Sequence, residues 1–222
     1  MKNILIVAPH PDDEVLGCGG VIRKHVKSGD TVFILVITRG NPKFYSDIKI
    51  ENVRSEARSA HQFLGVIETR FLDFYAPNLD TTSQAELSQS IATYIKEKQI
   101  NTLYLPHRGD IHHDHRAVFN AGLVAARPVN ENTVTRIYAY ETLSETEWAA
   151  PFGDDAFIPT HFVNVETEFI DKLEAMSFFR TQVRQFPSTR SLETIEALAT
   201  FRGATVGFHR AEAFMVIRTI EE

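Results

Sequence analysis

Cysteine is nearly missing from this chain: among 222 residues there is one, Cys18. A single cysteine closes no internal disulfide, so nothing in the composition requires an oxidising compartment. Positive charge is also short, with 23 Lys and Arg against 29 Asp and Glu and a formal net charge of −6. Nucleic acid calls for a basic face and anionic lipid for a polybasic stretch, and neither is present. No apolar run approaches the ~18 residues of a membrane span. The opening run, Asn3 to Ala8, is too short for the core of a secretory signal and breaks into acidic residues. No repeat, low-complexity segment or Pro/Gly/Ser-rich linker divides the chain. These absences predict a soluble, cytoplasmic protein with one domain over residues 1–222. The 43% apolar content is enough for a sizeable core.

What is present alternates. Asn3 to Ala8 and Thr31 to Thr38 are continuous apolar, β-branched runs, as in strands buried on both faces. Shorter strands are expected at Arg70–Phe74, Asn101–Leu105, Thr135–Tyr140, His161–Val165 and Ala213–Arg218. Helical spacing covers Val15–Ser28, Ile50–Leu64, Ser83–Gln99, Arg116–Ala126, Thr167–Thr181 and Leu192–Phe201. Gly65 falls where a helix C-terminus needs a left-handed residue. The order predicts an α/β fold: an open, mostly parallel sheet with helices on both faces. Residues 39–49 read as a polar loop. Residues 141–160 carry no pattern and leave two uses open, a lid or a subunit contact in a homo-oligomer.

Two polar clusters interrupt the pattern at strand ends. Pro9-His10-Pro11-Asp12-Asp13-Glu14 follows strand one, and His107-Arg108-Gly109-Asp110-Ile111-His112-His113-Asp114-His115 follows strand four. Ligands of open α/β sheets bind beyond the carboxyl ends of the strands, where the strand order reverses. Strands one and four can be neighbours there, so the clusters are expected to face one crevice. Together they supply imidazole nitrogens and carboxylate oxygens, the donors of a catalytic zinc site with one position open for water. Spare carboxylates then serve as base, and a spare His polarises a carbonyl. The plainer use of Asp12-Asp13 is to cap a helix. Gly17, Gly19 and Gly20 do not make a dinucleotide loop, because the turn itself holds HPDDE and strand two ends without an acid.

The segments Pro9–Glu14 with Gly17-Cys18-Gly19-Gly20, and Asp110–His115, resemble the two signatures of the PIG-L/LmbE-like deacetylases. Arg54-Ser55-Glu56-Ala57 with Leu64-Gly65, and Arg202-Gly203 with Ala211-Glu212-Ala213-Phe214, are similar to further family patterns in the same order. The resemblance implies a Rossmann-like fold and a zinc-dependent hydrolase that removes an acetyl group from an N-acetylated amino sugar or sugar conjugate. Carried over, it implies His10, Asp13 and His115 as metal ligands and Asp12 as the general base toward the metal's water. It implies His112 as the group that polarises the amide, Asp114 as the residue that orients a neighbouring His, and Arg54 as a substrate contact. Either Asp12, once protonated, or His112 returns the proton to the leaving amine. The N/O donor set suits other divalent metals besides zinc. Two alternatives stand beside this reading: a metal-dependent hydrolase of another small amide, such as a thiol-sugar conjugate, and a non-catalytic metal- or sugar-binding protein. Asp110 is expected to bind its own loop's amides. His25 and His61 are expected at the surface or in packing.

Overall fold

A computed structural model describes residues 1–129 and 132–221. Its strands are β1 (Asn3–Ala8), β2 (Thr31–Gly40), β3 (Glu68–Ala76), β4 (Thr102–Pro106), β5 (Arg136–Tyr140), β6 (His161–Asn164) and β7 (Ala211–Thr219). Its helices are α1 (Asp13–Lys27), α2 (Asp47–Leu64), α3 (Gln84–Lys98), α4 (His113–Ala125), α5 (Phe169–Ser177) and α6 (Leu192–Ala204). The seven strands form one sheet in the order β3-β2-β1-β4-β5-β7-β6. β3 through β5 run parallel, and β7 pairs antiparallel with both β5 and β6. The mostly parallel α/β sheet expected from the alternation is the fold observed.

The strand alternation divides the core. Ile4, Ile6 and Ala8 of β1, with Val32, Ile34 and Val36 of β2, pack under α1, α2, α5 and α6. Leu5 and Val7, with Phe33, Leu35 and Ile37, pack under α3 and α4 on the other face. Strands covered on both sides must be apolar at every position, which is why β1 and β2 read as unbroken runs. Each fully buried Ile or Leu there contributes ~1.5–3 kcal/mol. The α1 glycines serve this packing. A Cβ on Gly17 would lie 2.3 Å from the Tyr140 ring, and one on Gly20 would lie 2.9 Å from Val165.

Some boundaries move. β2 extends to Gly40, so the loop before α2 is shorter than expected, and Ser46 caps α2 by accepting from the Lys49 amide. α1 and α4 each begin inside their polar clusters, at Asp13 and His113. α5 is shorter than expected and ends at Ser177. Gly65 closes α2 with φ 86°. Residues 141–160 contain only a short 3₁₀ turn, Gly153–Asp155. No helix among the described residues is long and apolar enough to cross a membrane.

β1 and β4 are adjacent and parallel, with Ile4 opposite Thr102 and Ile6 opposite Tyr104. The chain moves from β1 outward to β2 on one side and reaches β4 on the other. Their carboxyl ends therefore flank the point where strand order reverses.

Candidate active site

Both polar clusters meet at that point. One potential ligand atom each from His10, Asp13 and His115 forms a group within 4.8 Å, and His10, His112 and Asp114 form a second such group. Asp13 and His115 are buried, and His10 opens onto a cleft of about 300 Å³ that Asp12 and His112 also line. Asp13 Oδ1 and His115 Nε2 are buried with no hydrogen-bond partner. Two buried polar atoms left without a hydrogen bond are costly unless something else satisfies them.

Each ligand-type imidazole is held from behind by a carboxylate. His115 Nδ1 donates to Asp110 Oδ2 at 2.7 Å, and His10 Nε2 lies 3.2 Å from Asp114 Oδ2. That leaves His115 Nε2 and His10 Nδ1 turned toward Asp13, whose Oδ2 lies 3.3 and 3.2 Å away. Carboxylate-backed imidazoles aimed at one point are the usual surroundings of a bound metal. Asp114 Oδ1 also accepts from the Leu79 amide (2.9 Å), which fixes the carboxylate. Asp110 is not spent on its own loop, contrary to expectation. Its other oxygen accepts from Thr146 Oγ1 at 2.6 Å, so it ties His115 to the segment after β5.

The charges agree with a cation site. Burial alone would lower His10, but Asp114 and Asp13 outweigh it and raise it to about 9. Burial likewise opposes the shifts of His115 and Asp13. Asp13 and Asp110 still hold His115 well above its ordinary value, and His115 and His10 hold Asp13 well below its own. Asp13 thus draws positive charge to this spot, as protons on the free side chains. A divalent cation displaces such protons and takes the nitrogen lone pairs. The donor set therefore fits a metal.

Asp12 stands apart from the ligand group. It precedes α1 but makes no side-chain cap, so helix capping does not explain it. Its φ of 114° is left-handed, which is costly for a non-glycine residue and concentrates at functional sites. Glu14 holds the strained peptide, accepting from the Asp12 amide with Oε2 (3.2 Å) while its Oε1 bonds His61 Nε2 (2.7 Å). His61 is buried, and its Nδ1 meets Thr69 Oγ1 at 2.9 Å. His61 therefore braces the polar turn instead of merely filling space. Its position with Ala57, Ala60 and Leu64 on the inward face of α2 was the available signal. His25 is half-buried between Asp30 and Tyr104.

His112 begins α4 as its N-cap: Nδ1 accepts from the Asp114 amide at 3.1 Å. An accepting Nδ1 puts the neutral ring's proton on Nε2. Burial and the neighbouring His10 lower its pKa to about 4. Arg54 is not brought to the cleft. Its Nη2 donates to Leu72 O (2.8 Å) and Asp73 Oδ1 (2.9 Å), and its guanidinium lies over the Phe71 ring. The guanidinium beside Asp12 is instead that of Arg190, with Nη1 3.0 Å from Asp12 Oδ2.

The GlcNAc-PI de-N-acetylase (PIG-L) family matches residues 5–126, more than half of the chain. The chain belongs to the PIG-L family. Membership makes it a hydrolase of the deacetylase class. The chain is 33% identical over 184 residues to the uncharacterized deacetylase YaiS of Escherichia coli, covering 79% of this chain and 89% of that one. It is 29% identical over 198 residues to the diacetylchitobiose deacetylase of Thermococcus kodakarensis, covering 84% and 71%. Its fold is similar to that of N,N'-diacetylchitobiose deacetylase from Pyrococcus horikoshii, with TM-score 0.79, 19% identity and 98% and 84% of the two chains covered. It is also similar to the 4-carboxy-2-hydroxymuconate hydratase GalB of Pseudomonas putida, with TM-score 0.77, 18% identity and 100% and 99% covered. One fold thus carries deacetylases and a hydratase, and the site must distinguish them.

The PIG-L match ends before two side chains that the sequence reading missed. Glu145, on the irregular segment after β5, and Arg190, on the loop before α6, both line the cleft. No local pattern marks Arg190, which reaches Asp12 across 178 positions.

Proposed function

We propose that this PIG-L chain is a zinc-dependent deacetylase hydrolysing the N-acetyl amide of an amino sugar or sugar conjugate. The observation that carries the reading is the pair of buried atoms left without a hydrogen bond, Asp13 Oδ1 and His115 Nε2, grouped with His10 beneath a cleft lined by Asp12 and His112. His10, Asp13 and His115 would hold the cation, a set that zinc commonly takes at catalytic sites. Bound there, it supplies Lewis acidity to a water and to the amide carbonyl. The diacetylchitobiose named for the Thermococcus relative supports an N-acetyl sugar as substrate.

The proton steps belong to the chain. Arg190 occupies Asp12 Oδ2, and no described residue hydrogen-bonds Oδ1. Oδ1 is the atom that takes a proton from the attacking water. In the metal-free site burial raises the Asp12 pKa to about 8 against the pull of Arg190; a cation held by Asp13 and the two histidines would favour the carboxylate, the form that accepts a proton. His112 stays neutral and presents Nε2–H to the developing oxyanion. With Nδ1 engaged by the Asp114 amide, His112 donates a hydrogen bond and keeps its proton. Asp12 therefore returns the proton to the leaving amine.

Free-amine release from a panel of N-acetylated sugars, using metal-stripped and zinc-reconstituted protein, tests the reading. Release only with zinc is the expected result. Silence with zinc stoichiometrically bound removes the substrate class. Failure to bind zinc removes the site.

A further inference from the structure

Arg190 has five N–H groups, and the protein fixes three of them. Nε donates to Ser144 Oγ (2.7 Å), and Nη1 donates to Asp12 Oδ2 and Gln182 Oε1 (3.0 Å each). Nη2 faces Glu145 Oε1 at 3.9 Å, beyond hydrogen-bond reach. Among the described residues, nothing accepts from Nη2 and nothing donates to the Glu145 carboxylate. Glu145 is only 9% exposed, and both groups line the same cleft as Asp12 and His112.

The loop that carries Glu145 is held in place. The Glu145 carbonyl accepts from the Ile111 amide (3.2 Å), beside the second polar cluster. Ser144 is left-handed, with φ 72°, and its amide donates to Glu147 Oε1 at 2.6 Å. Strain at a non-glycine residue is found at ligand clamps. The result is a positioned, half-buried donor and a nearly buried acceptor, with spare capacity for one ligand group between them. A hydroxyl both accepts and donates; an alkyl chain does neither.

We propose that Arg190 and Glu145 are specificity residues that read a hydroxyl of the sugar ring, selecting hydroxylated amides over plain N-alkyl acetamides. This rests on the deacetylase reading above. The amine products allow a test without turnover: glucosamine, and cyclohexylamine as its hydroxyl-free counterpart, titrated calorimetrically into zinc-reconstituted protein. Wild type is expected to bind glucosamine at least ~10-fold tighter. The isosteric Glu145→Gln, checked for an unchanged melting temperature, should lose ~10-fold for glucosamine and far less for cyclohexylamine. Deoxyglucosamines supply a ligand-side variant. Removing the hydroxyl that is read should weaken wild type by the same factor and add little to Glu145→Gln.

No preference for glucosamine in wild type, equal weakening of both ligands by Glu145→Gln, or simple additivity with every deoxy sugar would overturn the pair. Failure of the activity looks different. Selective binding without amine release from N-acetylglucosamine keeps the pair and loses the deacetylase. Amine release without selectivity does the reverse.

Discussion

Residues 1–126 and residues 132–221 build their sides of the cleft differently. In the first region, the ligand-type groups come from the two segments that follow parallel strands, His10 and Asp13 after β1 and Asp114 and His115 after β4. In the second, Glu145 and Arg190 come from irregular segments beyond β5 and α5, next to the antiparallel edge. The chemical group is thus two short sequence segments brought together by the pairing of β1 with β4. The outer wall depends on long-range contacts such as Arg190 with Asp12. Loops of this kind vary while the scaffold persists, which is how one fold accommodates several substrates.

The strongest test of that division is Asp12→Asn. Loss of the proposed general base should lower kcat by ~10²–10⁴, with zinc content of the reconstituted protein, measured by elemental analysis, unchanged. Zinc lost in parallel would put Asp12 among the ligands and erase the distinction between base and metal group.

Lys172→Met probes the seam between the regions. Lys172 Nζ donates to Leu16 O of α1 (2.7 Å) and pairs with Glu212 (2.6 Å), whose oxygens also accept from the Gly20 and Val21 amides. Leaving Glu212 buried and uncompensated should cost about 3–5 kcal/mol in urea unfolding. A change below about 1 kcal/mol, the range of an exposed pair, would mean that the seam is not closed by this pair.

Asp110→Asn should weaken zinc binding ~10–100-fold, measured by competition with a chelator. The Asp110 link to Thr146 carries the second region to the first, so unchanged affinity would separate them.

The smallest effect is on pH dependence. Burial lowers the pKa of His25 in the first region and His161 in the second below 6.5. The unfolded state then binds more protons as pH falls, so their stability contribution is full above pH 6.5 and is lost below it. His10, His115 and Asp12 are shifted up and act in the opposite sense in the metal-free protein, so the comparison is between variants: from about pH 7.5 to 5.5 wild type should lose melting temperature relative to His161→Gln. A difference that stays constant would assign no part of the pH dependence to His161.

Much of the first region was legible. Unbroken apolar runs marked β1 and β2, and the polar clusters after β1 and β4 marked the site, because strands covered on both faces tolerate polar groups only where they emerge. The role of Asp110 was not legible, since its partners are His115 and Thr146 and not its own loop. From sequence His61 is a surface or packing residue, because a helical His carries no sign of the carboxylate it will meet. Arg54 was expected at the substrate, yet Leu72, Asp73 and Phe71 engage it. Its pattern names a residue type but not the neighbour that captures it.

The sequence by itself determined the parallel α/β order, the two polar strand ends and the donor types gathered there. These follow from local periodicity and from the cost of burying charge without purpose. Only the tertiary structure decided which nitrogen of each His is available, that Glu14 and His61 brace Asp12, and that Arg190 with Glu145 walls the cleft. Those choices depend on distances between residues far apart in the chain, and hydrogen bonds are set by such distances, which no periodicity encodes.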